Sequence, residues 1–300
     1  MGLALAAPVL RNFLVCARGG LVSARGGLSR FGVVALAVLA LCGCEIASGI
    51  RPPGRGIAEV AVDTDHSAAS ANIESLSEVI RRNPSSPEAY NTRGVAYARV
   101  GRFQEAVADF TQALKIDPNS AAAYTNRALA FRQMGRNDLA RADFDHAIDA
   151  SPNHAPAYVG RANLVRSQGN LDLAVSDLDT AIRLNPENAQ AFHARGLINQ
   201  KRGDNVRAVT DFDNAIDRDP FAAAPYQARG ESLVTLGKFD KAVEDFNAAL
   251  NVDSKSATAW AWLGLAYDRG GNRPKAQEAY QRALVLDPSQ PIARQGVGRG

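Results

Sequence analysis

Six glycines, Gly101, Gly135, Gly169, Gly203, Gly237 and Gly271, follow one another at intervals of 34 residues with no insertion between them. Pro84, Pro118, Pro152, Pro186, Pro220 and Pro288 keep the same interval, with Ser254 in the one empty slot. An aromatic recurs at Tyr90, Tyr124, Tyr158, Phe192, Tyr226 and Trp260, and a small residue at Ala106, Ala140, Ala174, Ala208, Ala242 and Ala276. A strict period of this length restricts the chain to a stack of like units. One such unit cannot bury its apolar face alone and must pack against the next.

Within a unit the apolar and small residues fall at helical spacing. In the first copy they are Tyr90, Gly94 and Tyr97, then Phe103, Ala106 and Phe110. The recurring Gly between the two runs suits the left-handed turn that ends a first helix, A. The recurring Asp/Asn/Ser-Pro ends a second helix, B, because the proline ring blocks its continuation. Each unit therefore reads as an antiparallel helix pair. The small residue on A (Gly94, Ala128, Ala162, Gly196, Gly230, Gly264) is expected to lie against the Ala on B.

The pattern of aromatic, small residue, Tyr or Phe, Gly, Ala, aromatic, Ala and Pro resembles the signature of the tetratricopeptide repeat family over residues 87–290. The resemblance implies an all-α, right-handed superhelix, an α-solenoid of six helix-turn-helix repeats (87–120, 121–154, 155–188, 189–222, 223–256 and 257–290). Residues 68–86 keep the register of a B helix through Leu76, Val79, Ile80 and Pro84, so they form an N-terminal half repeat that caps the stack. Asn199, Val165 and Leu233 replace the usual larger aromatic of helix A and are expected to loosen individual contacts.

A charge ladder crosses this apolar pattern. Arg93, Arg127, Arg161, Arg195 and Arg229 share one position of helix A, within its inward stripe. Asp109, Asp143, Asp177, Asp211 and Asp245 share one position of helix B. In the sixth copy both disappear together, as Leu263 and Ala279. A half-buried guanidinium without a partner is costly, and its planar fork matches a carboxylate. The five pairs are expected to be structural ion pairs, within a hairpin or between adjoining repeats; the alternative is two unrelated solvated ladders.

The front of the chain has a different character. Residues 1–43 carry Arg11, Arg18, Arg25 and Arg30 and no acidic residue. Without them, 30 basic residues face 31 acidic ones, so the formal charge of +3 belongs to this leader and gives no case for nucleic-acid binding. Residues 31–43, FGVVALAVLALCG, form an uncharged run of 13, the size of the apolar centre of an export signal. The run ends in LCGC and resembles a bacterial lipobox, which implies cleavage after residue 43 and lipidation of Cys44. A plain secretory signal or an uncleaved anchor would use the same run. Cleavage removes Cys16 and Cys42 with the leader, leaving no intrachain disulfide. Residues 44–67, with Pro52, Pro53 and several glycines, read as a tether. Glu45 follows the Cys in place of Asp, which by resemblance to the sorting rule of enteric bacteria points to the outer membrane.

No catalytic constellation is legible. His66, His146, His154 and His193 fall in four different settings, so no metal set is expected, and no cofactor. DFDHAID (143–149) reads as the solvated outer face of a B helix. The chain is expected not to be an enzyme but to bind other envelope proteins or peptides on the periplasmic face of a bacterial cell envelope. By resemblance the concave face is lined by A-helix residues, here Asn91, Arg99, Asn126, Arg132, Asn163, Arg166, His193, Lys201, Gln227 and Trp262, with Gln200, Glu231, Asp268 and Arg269 beside them. Arg99, Arg132, Arg166 and Lys201 form a basic line that suits an acidic segment. A lipid-anchored scaffold and a pilotin-like assembly factor for a pilus or secretion channel both fit. The tail, 291–300, holds one large apolar residue, Ile292, and three glycines, enough for at most a turn of helix. Tyr280, Ala283 and Leu284 are then left uncovered and suit self-association or a partner helix, unless the tail folds back over them.

Overall fold

The computed structural model of the chain describes residues 66–298. The leader, Cys44 and nearly all of the tether lie outside the described residues. Among the described residues there are fourteen α-helices and no strand. Helix α1 (His66–Arg82) stands alone. Six hairpins follow: α2 (Pro87–Arg99) with α3 (Phe103–Ile116), α4 (Ala121–Gln133) with α5 (Asn137–Ala150), and α6 (Ala155–Ser167) with α7 (Leu171–Leu184). The remaining three are α8 (Ala189–Lys201) with α9 (Asn205–Arg218), α10 (Ala223–Thr235) with α11 (Phe239–Val252), and α12 (Ala257–Arg269) with α13 (Arg273–Leu286). A last short helix, α14, spans Pro291–Val297.

Local chemistry sets these ends. Ser86, Ser120, Asn188 and Ser256 accept a backbone N–H from the first turn of the A helix they precede. Gly101 adopts φ +77°, and the N–H of Arg102 reaches back to the carbonyl of Tyr97 at 2.9 Å. That six-residue closure recurs after every A helix and needs a residue that tolerates the left-handed region.

Each A helix packs on its own B helix, and each B helix on the next A helix. Successive A helices also touch (α2 with α4, and so on to α12 with α14), whereas successive B helices do not. The stack therefore bends with the A helices on its inner side.

The centre of five of the six hairpins is one buried ring, and Leu178 takes its place in the third. Phe110, Phe144, Phe212, Phe246 and Tyr280 are each no more than 1% exposed. The nearest atoms to Gly94 belong to the Phe110 ring, not to Ala106: a methyl group placed on Gly94 would fall 2.6 Å from Phe110 Cε1. The same holds for Gly196 with Phe212, Gly230 with Phe246 and Gly264 with Tyr280. Where the small position on A is glycine it is thus a seat for the ring of its own hairpin, while Ala128 with Ala140 and Ala162 with Ala174 share packed clusters.

The two ends of the array are built as half repeats. In α1, Ile73 and Ile80 are buried, but Val79 is 46% exposed where the full repeats bury an alanine. At the far end the tail does more than form a turn. Pro291 lies 34 residues after Ala257, and α14 runs as the first half of a further A helix. Ala293 is fully buried, and Gly296 packs on the Tyr280 ring from the side opposite Gly264. Tyr280 and Ala283 are consequently core, so of the two expectations for this end it is the one in which the tail folds back over them that holds. Glycine at 296 is what permits this, since a Cβ there would lie 2.1 Å from Tyr280 Cε2.

Candidate functional site

The arginine ladder is the scaffold of the inner face. Arg93 donates from Nε and Nη2 to the two carboxylate oxygens of Asp109, both at 2.7 Å. Arg127 with Asp143, Arg161 with Asp177 and Arg229 with Asp245 repeat this fork at 2.6–2.8 Å. Arg195 reaches both oxygens of Asp211 at 2.6–3.2 Å. All five carboxylates are buried. All five pairs lie within one hairpin, joining A to its own B.

The third arm of each guanidinium crosses to the preceding B helix. Nη1 of Arg93 donates to Ser77 and that of Arg127 to Thr111, each at 3.1 Å. In the next three repeats the acceptor is a carboxylate, Asp145, Asp179 or Asp213. Each arginine thus ties three helices together. Asp145, read from sequence as part of a solvated face, is an acceptor for both Arg161 and Arg141. Asp143 of the same stretch is buried beneath Arg127. The period carried a signal for this: Ser77, Thr111, Asp145, Asp179 and Asp213 also stand 34 apart.

The surroundings change in step. Arg93 lies near two rings, Tyr90 at 5.9 Å and Tyr97 at 5.7 Å, and Arg127 near Tyr124 and Phe131. Arg161, Arg195 and Arg229 keep only the first ring, because Val165, Asn199 and Leu233 stand at the second position. Where the second ring is lost, the second carboxylate is gained. Asn199 does not simply loosen its repeat, since its amide donates to Asp211 at 2.8 Å. Hydrogen bonds donated to Asp177 and Asp245 hold Arg161 and Arg229 above the ordinary guanidinium range against the cost of burial. Burial pushes the Asp245 carboxyl up, and Arg229 opposes that shift.

The inner face is polar in its first repeats and mixed aromatic and charged in its last. Asn126 is buried and donates to Asn91 at 2.9 Å, so these two residues bind each other across α2 and α4. Arg99 and Lys201 are exposed, and Arg132 is half-buried. Asn163 and Arg166 are half-buried one turn apart on α6, and Arg166 Nε is enclosed without a hydrogen-bond acceptor. His193 of α8 is tilted against Phe212, with ring centroids 5.8 Å apart. Burial, reinforced by the Arg166 charge, brings the His193 imidazole down to about 4, so it is neutral at pH 7. Gln200 bridges to α10 through the carbonyl of Ala228 and the hydroxyl of Ser232, both at 3.1 Å. Gln227 donates to Glu231 at 3.0 Å, and burial raises the Glu231 carboxyl.

Beyond Glu231 the inner face carries large aromatic and aliphatic side chains beside charged ones. Trp262 lies parallel to the Phe246 ring at 6.4 Å. Between α10 and α12 there is a hollow of about 420 Å³ lined by Val234, Thr235, Gly237, Phe239, Trp262, Leu265 and Arg269. Of these lining residues the sequence pointed to Trp262 and Arg269; Val234, Thr235 and Phe239 gave no signal, because the hollow forms only where two hairpins meet. Among the described residues, no group of three His, Cys, Asp or Glu side chains is placed to hold a metal ion, and no helix is long and apolar enough to cross a membrane.

A family model described as tetratricopeptide repeat matches residues 125–189, 159–223 and 228–291, and a second of the same description matches 87–120. No curated protein sequence is matched. Among solved structures, the Cut9–Hcn1 hetero-tetramer of the APC/C superposes with a TM-score of 0.66 at 20% identity over 77% of this chain. The chain spans about half the length of that relative, 46%. YrrB, described as a TPR protein with an unusual peptide-binding site, gives 0.54 at 24% identity, covering 63% of this chain and 97% of its own. PilW, described as a type IV pilus biogenesis factor, gives 0.63 at 18% identity, covering 70% and 98%.

Proposed function

As the chain belongs to the tetratricopeptide repeat family, we propose that it is a non-enzymatic scaffold whose inner face holds a segment of another protein, and that Cys44 anchors it by lipid in the bacterial envelope. The observation that carries the binding reading is the unsatisfied polarity of the inner face. Among the described residues Arg166 Nε has no acceptor, His193 beside it is neutral and offers no counter-charge, and Arg99 and Lys201 are exposed. An acidic segment laid along Arg99, Arg132, Arg166 and Lys201 would give Arg166 Nε an acceptor and meet the exposed charges of Arg99 and Lys201. Attachment to the membrane rests on the LCGC motif and the apolar run before it.

Two measurements test this. Cys44→Ser is expected to leave an unprocessed precursor that takes up no labelled lipid; normal processing and labelling in that variant would remove the anchor. Charge reversal at Arg132 and Arg166 is expected to abolish capture of partners from envelope extracts, and capture by the unaltered protein should weaken with salt as exposed charges are screened. Unchanged capture by the reversed protein would remove the basic line.

A narrower role, as a pilotin-like assembly factor for a pilus or secretion channel, draws support from the likeness to PilW, which is a likeness of fold. It predicts loss of surface pili or secretin multimers on deletion of the gene, with the scaffold chemistry unchanged. Self-association through the C-terminal end loses its expected basis, because α14 covers Tyr280 and Ala283.

A further inference from the structure

The hollow between α10 and α12 has a composition unlike the rest of the inner face. Trp262, Leu265, Phe239 and Val234 line it together with Thr235 and Arg269. At about 420 Å³ it falls within the roughly 300–1,000 Å³ of ligand pockets and is far larger than a packing defect. Arg269 is exposed and forms no ion pair with any described residue, whereas every arginine of the ladder is forked to a carboxylate. Trp262 is only half-buried, with one face spent on Phe246.

We propose that this hollow is an anchor subsite, taking one aromatic side chain from an extended segment of a partner protein, with a carboxylate of the same segment on Arg269. The inference rests on the scaffold reading above and specifies the partner's chemistry at that surface. The spacing supports it. Trp262 and Arg269 are two helical turns apart, about 10 Å along the axis, which an extended chain covers in about three residues. An aromatic ring two or three residues from an acidic one therefore meets both features at once. Lys201 and Arg166 lie on α8 and α6, the A helices that precede α10 in a row of touching A helices, so an acidic remainder laid along that row runs toward the basic repeats and the aromatic residue sets its register. The burial supplies affinity and the charges supply direction.

The chain has two tryptophans, so Trp260→Phe leaves Trp262 as the sole reporter; phenylalanine already stands at the equivalent position 192. Three capped peptides serve as probes: Gly-Phe-Gly-Glu-Glu-Gly, the same with Ala for Phe, and the same with Gln for both Glu. The first is expected to shift Trp262 emission saturably. The Ala peptide should bind at least about tenfold more weakly, as burial of a Phe-sized side chain implies, and the Gln peptide severalfold more weakly and without salt dependence. Thr235→Arg, which fills the hollow from an exposed position, and Arg269→Glu should each reproduce the corresponding loss with unchanged helical content. No saturable shift with the first peptide, equal binding of the Ala peptide, or unaltered binding by Thr235→Arg would overturn the proposal. Envelope partners captured equally well by Thr235→Arg would leave the scaffold standing without the anchor. Peptide binding with no captured partner would do the reverse.

Discussion

Repeat six supplies an uncharged version of the ladder, Leu263 with Ala279, which makes repeat three the place to test what the charges do. Arg161 makes three charged hydrogen bonds, two to Asp177 and one to Asp145. Arg161→Leu strands a carboxylate that is 3% exposed, at a cost of about 3–5 kcal/mol. Asp177→Ala removes two of the bonds but leaves Arg161 its contact with Asp145, so about 2–3 kcal/mol is expected. The double variant, Arg161→Leu with Asp177→Ala, copies the pairing of repeat six. It should cost no more than about 2 kcal/mol, because desolvating a buried pair cancels most of its attraction. The coupling is then about 3 kcal/mol or more. Urea unfolding followed by circular dichroism measures it, with a constant denaturant slope as the sign that one transition is being compared. Costs that add to within about 0.5 kcal/mol would refute the pairing as an energetic unit. The first repeat provides an internal contrast. Asp109→Ala leaves Arg93 with only the Ser77 hydroxyl, and should cost more than Asp177→Ala.

Further outcomes follow from the packing and the protonation states. The His193 imidazole, lowered from 6.5 to about 4, binds fewer protons folded than unfolded between those values. Its contribution to stability is therefore complete above pH 6.5 and lost as pH falls toward 4, by up to about 3 kcal/mol. An NMR titration of the ring should show a midpoint near 4, and His193→Gln should flatten the urea midpoint against pH in that window; a midpoint near 6.5 would contradict the burial. Gly264→Ala should destabilise by about 1–3 kcal/mol through collision with the Tyr280 ring, and Gly203→Ala by about 1 kcal/mol through its φ of +81° alone, since nothing lies within 4 Å of the added methyl. In Gly296→Val the α14 backbone should lift from Tyr280, seen as loss of amide protection confined to α14, with the six hairpins still folded.

Much of this protein is legible in one dimension because its period is strict. Gly101 and its five counterparts mark where every A helix ends, the prolines mark where every B helix ends, and a helix pair of this length has one way to stack. The Arg93 and Asp109 series could be paired from their joint loss at Leu263 and Ala279. What required the tertiary structure is everything that two or three hairpins make together. The third arm of Arg161 finds Asp145 on the preceding repeat, a contact that exists only after the hairpins have packed. The Tyr280 ring is closed in by Gly296, which the tail's composition left open: a glycine contributes no side chain but admits a backbone. The hollow beside Trp262 belongs to no repeat, because its walls come from the inner faces of α10 and α12. A repeat pattern specifies the unit and its neighbour contacts. The cavities between units depend on how unlike side chains meet across them, and that is decided by packing in three dimensions.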